Sequence, residues 1–237
     1  MPTIGTDPLL ADRIFDLLKR EIISSRQKPG QPFNETVMAK RFKASRTPIR
    51  EACGRLSKEG LLVSIPNKGY LVAPITIKDV LDIYQLRHIV EPLCAETAAI
   101  ELDGNNLAEL EDIVRVENGR QGNSYTVALI EMNHDFHGRL AQTTKNDRIV
   151  DLVDSLLLAC ARLDYMLMDL YPTKWIDHSE ILSSLKAHDR GAARQAMSRH
   201  IQLTQEQMSK IFSGEGLSLP NTPQKEEPPR VTALSEN

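Results

Sequence analysis

Leu9, Ile14, Leu17, Leu18 and Ile22 recur at near-helical spacing with charged residues between them, which predicts an amphipathic helix over residues 9–24. Lys28-Pro29-Gly30 ends it, and Val37, Met38 and Phe42 mark a short second helix over 35–42. In Thr47-Pro48-Ile49-Arg50-Glu51, Thr47 suits an N-cap and Pro48 the first helical position, while Gly60 suits the stop, so a third helix is predicted over 48–59. Its inward residues are Ile49, Ala52, Cys53 and Leu56. Two short strands, 61–65 and 69–73, flank the turn Pro66-Asn67-Lys68-Gly69.

From residue 78 to 212 the strand pattern vanishes and apolar residues fall at three and four spacing. Helices are predicted over about 77–102, 105–121, 124–143, 146–170, 173–188 and 190–212, with Gly104, Gly122, Pro172 and Gly191 near the joints. Ile149, Leu152, Val153, Leu156, Cys160, Leu163 and Leu167 form one continuous stripe, the mark of core or dimer surface. Residues 214–237 hold four prolines and little apolar periodicity, a composition that cannot offset ordering entropy and predicts a disordered tail. The expected fold is mainly α: a winged helix-turn-helix with a small β-hairpin wing over 1–74, then an all-α bundle over 77–213.

Charge divides the chain at the same place. Residues 1–73 hold 13 Lys+Arg against 7 Asp+Glu (net +6), and the remainder 16 against 25 (net −9). A basic module joined to an acidic one points to a polyanion partner for the first, because clustered cations gain affinity by releasing counterions. Chance fluctuation is the alternative on charge alone. Arginines at the start of a recognition helix can reach guanine bidentately, and the Ser45 and Thr47 hydroxyls with the helix N-terminus can hold phosphates. Arg50 on an exposed face also suits pairing with a neighbouring carboxylate.

No apolar run approaches the roughly 20 residues of a membrane span. The first ten residues lack a basic start followed by an apolar stretch, which predicts a cytoplasmic protein. Cys53, Cys94 and Cys160 are far apart, as expected of buried free thiols rather than a disulfide framework or cysteine zinc site.

All six histidines lie in the acidic half. Asn133 and His137 are four apart on one predicted helix and share a face; with His178 and His200 on later helices they make a plausible metal set with positions open for water or a carboxylate. From spacing alone, ordinary hydrogen-bonded histidines are the commoner explanation. Arg87 beside such an ion would bind a small organic acid, with Arg139 and Arg162 as further candidates. Since Glu91 is at i,i+4 from Arg87, a surface ion pair is the other reading.

The segment Ser45-Arg46-Thr47-Pro48-Ile49-Arg50-Glu51-Ala52, followed by Arg55-Leu56, Glu59-Gly60-Leu61 and Pro66-Asn67-Lys68-Gly69-Tyr70, resembles the DNA-binding domain of GntR-family bacterial transcriptional regulators. That resemblance implies a dimer on a short palindromic operator in double-stranded DNA, contacted by Thr36, Ser45, Arg46, Thr47, Pro48 and Arg50 and by Asn67, Lys68 and Gly69 of the wing. Leu86-Arg87-His88-Ile89-Val90-Glu91, Asn133-x-x-Phe136-His137-x-x-Leu140, Asn146, His178-x-x-Ile181, Asp189-x-x-x-Ala193 and His200-Ile201 resemble, in order, the FCD effector-binding domain of the FadR subgroup, in its shorter VanR-like form. This resemblance implies a divalent ion (Zn, Ni, Mn or Fe) on Asn133, His137, His178 and His200; Asn133 replaces the usual Asp, and a neutral amide is the weaker ligand.

The leading expectation is a repressor controlled by a small carboxylate at a metal-containing pocket, and not an enzyme. A metal sensor and a metal-dependent hydrolase are the alternatives. The hydrolase is the weaker of these, since His178-x-Glu180 has no P-C-x-x-C partner and H-E-x-x-H is absent.

Overall fold

The computed structural model describes residues 8–66, 68–119, 127–167 and 177–212. It is mostly helical, with one small antiparallel sheet near the N-terminus. The expected disordered tail lies outside the described residues.

Helix α1 (Pro8–Ile23) turns Ala11, Ile14, Leu18 and Ile22 onto α3, as its periodicity requires. Strand β1 (Pro32–Phe33) was not predicted, because two residues are too few for alternation to show. It pairs with β3 at an edge of the sheet, where a proline lacking an N–H is tolerated. Helix α2 (Glu35–Phe42) is capped by Asn34, whose side chain accepts from the backbone N–H groups of Thr36 and Val37 at 2.8 and 3.3 Å.

Helix α3 (Arg46–Lys58) starts two residues earlier than predicted, with Ser45 rather than Thr47 at the N-cap. Pro48 therefore occupies the third helical position, where the backbone N–H would still lack an intrahelical partner. Strands β2 (Leu62–Ile65) and β3 (Gly69–Val72) form the wing, and Pro32, Phe33, Ser64 and Ile65 pair across β3 in the register Leu71, Tyr70, Tyr70 and Gly69. Gly69 has φ +94°, and a Cβ there would stand 3.3 Å from the Phe33 carbonyl oxygen, so only glycine fits without strain. Ile14, Leu18, Phe33, Ile49, Leu56 and Val72 make the core of this part.

After Pro74, a capping box opens α4 (Ile77–Glu101): the Thr76 hydroxyl receives the Asp79 N–H, and the Asp79 carboxylate receives the Thr76 N–H at 2.7 Å. Helices α5 (Gly104–Gly119), α6 (Val127–Gln142), α7 (Asp147–Leu167), α8 (Ser179–Lys186) and α9 (Arg190–Phe212) follow. The helix predicted over 173–188 is described only from residue 179 and stops at 186, with His178 at its N-cap. Helix α4 is central and packs against α6, α7, α8 and α9. Tyr84, Phe136, Leu140, Leu157, Ile181 and Ile201 belong to a second core, separate from the first. Of the predicted α7 stripe, Leu152 is exposed, while Val153, Leu156, Cys160, Leu163 and Leu167 are buried. The three cysteines are free and buried, and burial pushes the Cys53 and Cys94 thiols up to about 12. No described helix is long and apolar enough to cross a membrane.

The two parts meet where α1 touches α7. The buried Arg162 of α7 donates from Nη2 to the Ala73 carbonyl at 2.7 Å, and its Nε has no partner. A cleft of about 700 Å³ opens between α1 and helices α6 and α7, lined by Leu17, Ile23, Ile130, His134, Leu158 and Tyr165 among others.

Candidate functional sites

The first site is the face shared by α2, α3 and the wing. Arg46 and Arg50 project from the first turns of α3, their side chains 58% and 62% exposed. Both turn toward Glu35 Oε2 on α2, at 3.4 and 2.8 Å. Ser45 and Thr47 are exposed at the same helix start, and Thr36 is exposed in the first turn of α2. A shallow hollow lined by Thr36, Arg46, Arg50, Ser64, Lys68 and Gly69 joins helix to wing. Pro48 is buried within the first turn of α3, so its contribution is to the helix start rather than to a contact surface. Asn67 lies outside the described residues, and Lys68 is exposed at the wing tip. Backbone N–H groups at the α3 N-terminus, two guanidinium groups and a wing lysine form a surface complementary to a duplex groove and its phosphates.

The second site lies in the helical core. His137 from α6, His178 at the α8 N-cap and His200 from α9 place ligand-capable nitrogens within 4.8 Å of one another. His137 Nε2 and His178 Nε2 are 3.2 Å apart. Burial pushes the His137 imidazole down to about 4 against the opposing pull of Glu91, and burial with the neighbouring imidazoles holds His200 well below its ordinary value. Rings held neutral at physiological pH are ready to ligate. Asn133 stands one turn before His137 on the same face of α6, half-buried.

Buried carboxylates stand behind two of the rings. Glu117 of α5 places Oε1 2.9 Å from His178 Nδ1, while its Oε2 is buried without a partner. Glu91 of α4 places Oε2 2.5 Å from His137 Nδ1, off the ring's N–H axis. Arg87 clamps Glu91 through Nε–Oε1 at 2.6 Å and Nη2–Oε2 at 3.3 Å, and its Nη1 lies 3.4 Å from Cys160 Sγ. Burial would raise the Glu91 carboxyl, yet the Arg87 guanidinium and His137 outweigh it and hold that carboxyl well below the usual range. Burial also pushes the Cys160 thiol up to about 11.

The pair Arg87–Glu91 is thus not on the surface: both side chains are 3% exposed or less. Arg139 is two residues from His137, on roughly the opposite side of α6, and pairs with Asp135 and Glu109. Arg162 serves the junction at Ala73. Of these three arginines only Arg87 reaches the histidine cluster, by way of Glu91, and its hydrogen bonds go to Glu91 and Cys160. Among the other histidines, His88 pairs with Gln205 at 3.0 Å, His188 with the Ala99 carbonyl at 2.9 Å, and His134 borders the cleft between the two parts.

Glu91 and Glu117 escaped the sequence reading as members of the site. Glu117 had a readable signal: it continues the apolar stripe Leu110, Ile113, Val114, so a carboxylate stands on a buried helix face.

A winged helix-turn-helix joined to a helical ligand-sensing domain defines a DNA-binding transcriptional regulator. The family description "Bacterial regulatory proteins, gntR family" matches residues 10–72, and "FCD domain" matches residues 82–203. The chain belongs to the GntR family and carries an FCD effector-binding domain; this is a family of transcriptional regulators, not of enzymes. It is 32% identical over 192 residues to the HTH-type transcriptional regulator YdhC of Bacillus subtilis, covering 79% of this chain and 86% of that one. It is 27% identical to the HTH-type transcriptional repressor RspR of Escherichia coli, over 84% of this chain and 89% of the relative. The fold is that of Escherichia coli McbR/YncC, with a TM-score of 0.72 and 20% identity over 86% of this chain and 98% of that structure.

Proposed function

We propose that this regulator is a homodimeric repressor that binds a palindromic operator and is controlled by a small organic acid at a divalent metal ion (Zn, Ni, Mn or Fe). Residues 1–74 bind DNA in this reading, through Ser45, Arg46, Thr47, Arg50, Thr36, Lys68 and Gly69, and residues 77–213 bind effector and pair the subunits. Its work is beside the chromosome, in the cytoplasm.

The observation that carries the metal is the convergence of His137, His178 and His200, with Asn133 adjacent. With Glu117 and Glu91 behind the Nδ1 atoms, two Nε2 lone pairs face each other at 3.2 Å, an arrangement stable only with a cation or proton between them. The spacing suits two nitrogens about 2.0–2.1 Å from one ion, and three imidazoles with an amide oxygen suit a borderline divalent metal. Such an ion would supply a Lewis-acidic centre for a carboxylate. The dimer reading is supported by Leu86, Ile89, Leu93 and Ile100, which run along α4 at helical spacing and are 41–66% exposed in a single chain.

Repression rests on a resemblance to the Escherichia coli repressor and on the geometry of the DNA-binding face. The test is a thermal-shift screen of metal-analysed protein against small carboxylic acids, alongside His178→Ala, followed by operator-binding assays with each hit. An acid that stabilises only the wild type and releases DNA supports the reading; no bound metal and no hit sinks it. A second reading, a metal sensor, is favoured by the commitment of Arg87 to Glu91 through Nε and Nη2, with Nη1 against the Cys160 sulfur. Operator affinity that follows metal concentration without any acid would establish it.

A further inference from the structure

We infer that Glu91 and Glu117 are the positioning residues of the histidine site, each holding one imidazole so that Nε2 rather than Nδ1 faces the shared cation, and that Arg87 serves Glu91 rather than an effector. This rests on the metal reading above and adds to it the residues that orient the ligands.

A buried imidazole works through both of its ring nitrogens. A neutral ring has one N–H and one lone pair, and the group hydrogen-bonded to one nitrogen decides which nitrogen is left to ligate. For His178 that group is Glu117, whose Oε1 lies 2.9 Å from Nδ1; beside His137 Nδ1 stands Glu91, whose Oε2 is 2.5 Å away and off the N–H axis. Both carboxylates come from helices that contribute no ligand, α4 and α5. Burying a carboxylate is costly unless it is paired, so two of them behind adjacent rings are not incidental packing. Glu91 is offset by Arg87, whereas Glu117 Oε2 is buried with no hydrogen-bond partner among the described residues. That uncompensated oxygen points to a positive charge supplied from the histidine side.

His200 is different. Among the described residues it has ring contacts with His137 and His178 at centroid distances of 5.2 and 4.6 Å, and no carboxylate stands behind it. The orientation of the site is accordingly set from α4 and α5, and α9 delivers a ring held by packing.

The experiment uses the full chain, stripped of metal and titrated calorimetrically with Zn²⁺ and Ni²⁺, comparing wild type with Glu117→Gln, Glu91→Gln and the surface control Glu109→Gln. A purely structural role would lower the melting temperature and leave affinity alone. Positioning predicts a 10- to 100-fold loss of metal affinity for Glu117→Gln with a folded far-ultraviolet spectrum, and no change for the control. Nitrogen-15 spectra of the imidazoles in zinc-loaded wild type give a second readout independent of the variants' folding: His137 and His178 are expected with the proton on Nδ1 and the ion on Nε2. Nε2–H tautomers for these rings, or unchanged affinity in both variants, would overturn the assignment while leaving the metal reading intact. A wild type that binds neither ion would overturn both.

Discussion

Phe136 lies flat against His178, with ring centroids 4.0 Å apart and planes 14° from parallel. The neighbour of one cluster histidine therefore forms the wall on which another rests, and the hydrophobic core and the polar site share one side chain. Replacing Phe136 by Ala should destabilise the helical domain by about 3–5 kcal/mol through lost burial and a cavity. Phe136→Leu keeps most of the volume and should lose less stability, yet still weaken metal binding by freeing the His178 ring. Denaturant melts and metal titration separate the two effects.

Removing one partner of a buried ion pair leaves the other uncompensated. Arg87→Met should destabilise by about 3–5 kcal/mol, whereas Arg87→Met combined with Glu91→Leu should recover much of the loss. Equal destabilisation in single and double variants, measured by chemical denaturation, would show that Arg87 acts through Tyr84 and Cys160 instead, which it also touches.

The His137 imidazole, held near 4 by burial, charges only when the fold yields to acid. A group with a depressed folded value gives stability that is complete above its ordinary value near 6.5 and is lost as pH falls toward 4. His200 acts in the same direction. The melting temperature of the metal-free protein should be flat above pH 7 and decline between pH 6.5 and 4. His137→Gln should flatten that decline.

On the DNA face, Arg46→Ala should weaken specific operator binding by roughly 1–3 kcal/mol if it reads a base, or weaken all sequences alike if it touches phosphate. Glu35→Gln removes the carboxylate that both arginines now share. Non-specific affinity should rise and its dependence on salt steepen, a change read by fluorescence anisotropy across a salt series.

Ile89, 66% exposed in one chain, stands in the middle of the apolar row on α4. Ile89→Glu should shift the protein toward monomer in sedimentation and reduce operator affinity with it. Dimerisation unaffected by this change would place the subunit contact elsewhere.

Most of the helices were legible because their apolar residues repeat at the helical period, and the histidine set was legible because a family resemblance joined residues that spacing alone left apart. What sequence concealed has physical reasons. Strand β1 is too short to carry a period, and α3 starts two residues early at Ser45, which holds the N-cap position without a side-chain capping bond. The depth of Arg87 and Glu91 was hidden because an i,i+4 charge pair is ordinarily a surface feature, and only packing of α4 against α6 and α7 shows otherwise. Arg139 and Arg162 had the right chemistry but stand on other faces of their helices. The partnership of Glu117 with His178 spans 61 residues and needed the fold to appear.

The hydrogen bond of Arg162 to the Ala73 carbonyl ties α7 to the residue that follows the wing. Cys160, against which Arg87 rests, precedes Arg162 by two residues, a rise of about 3 Å along the helix axis. Ala73 also donates its N–H to the Leu61 carbonyl at the start of the wing. Ala73 thus holds Leu61 by its N–H and Arg162 by its carbonyl, so one residue of the joint is bonded to both parts of the chain.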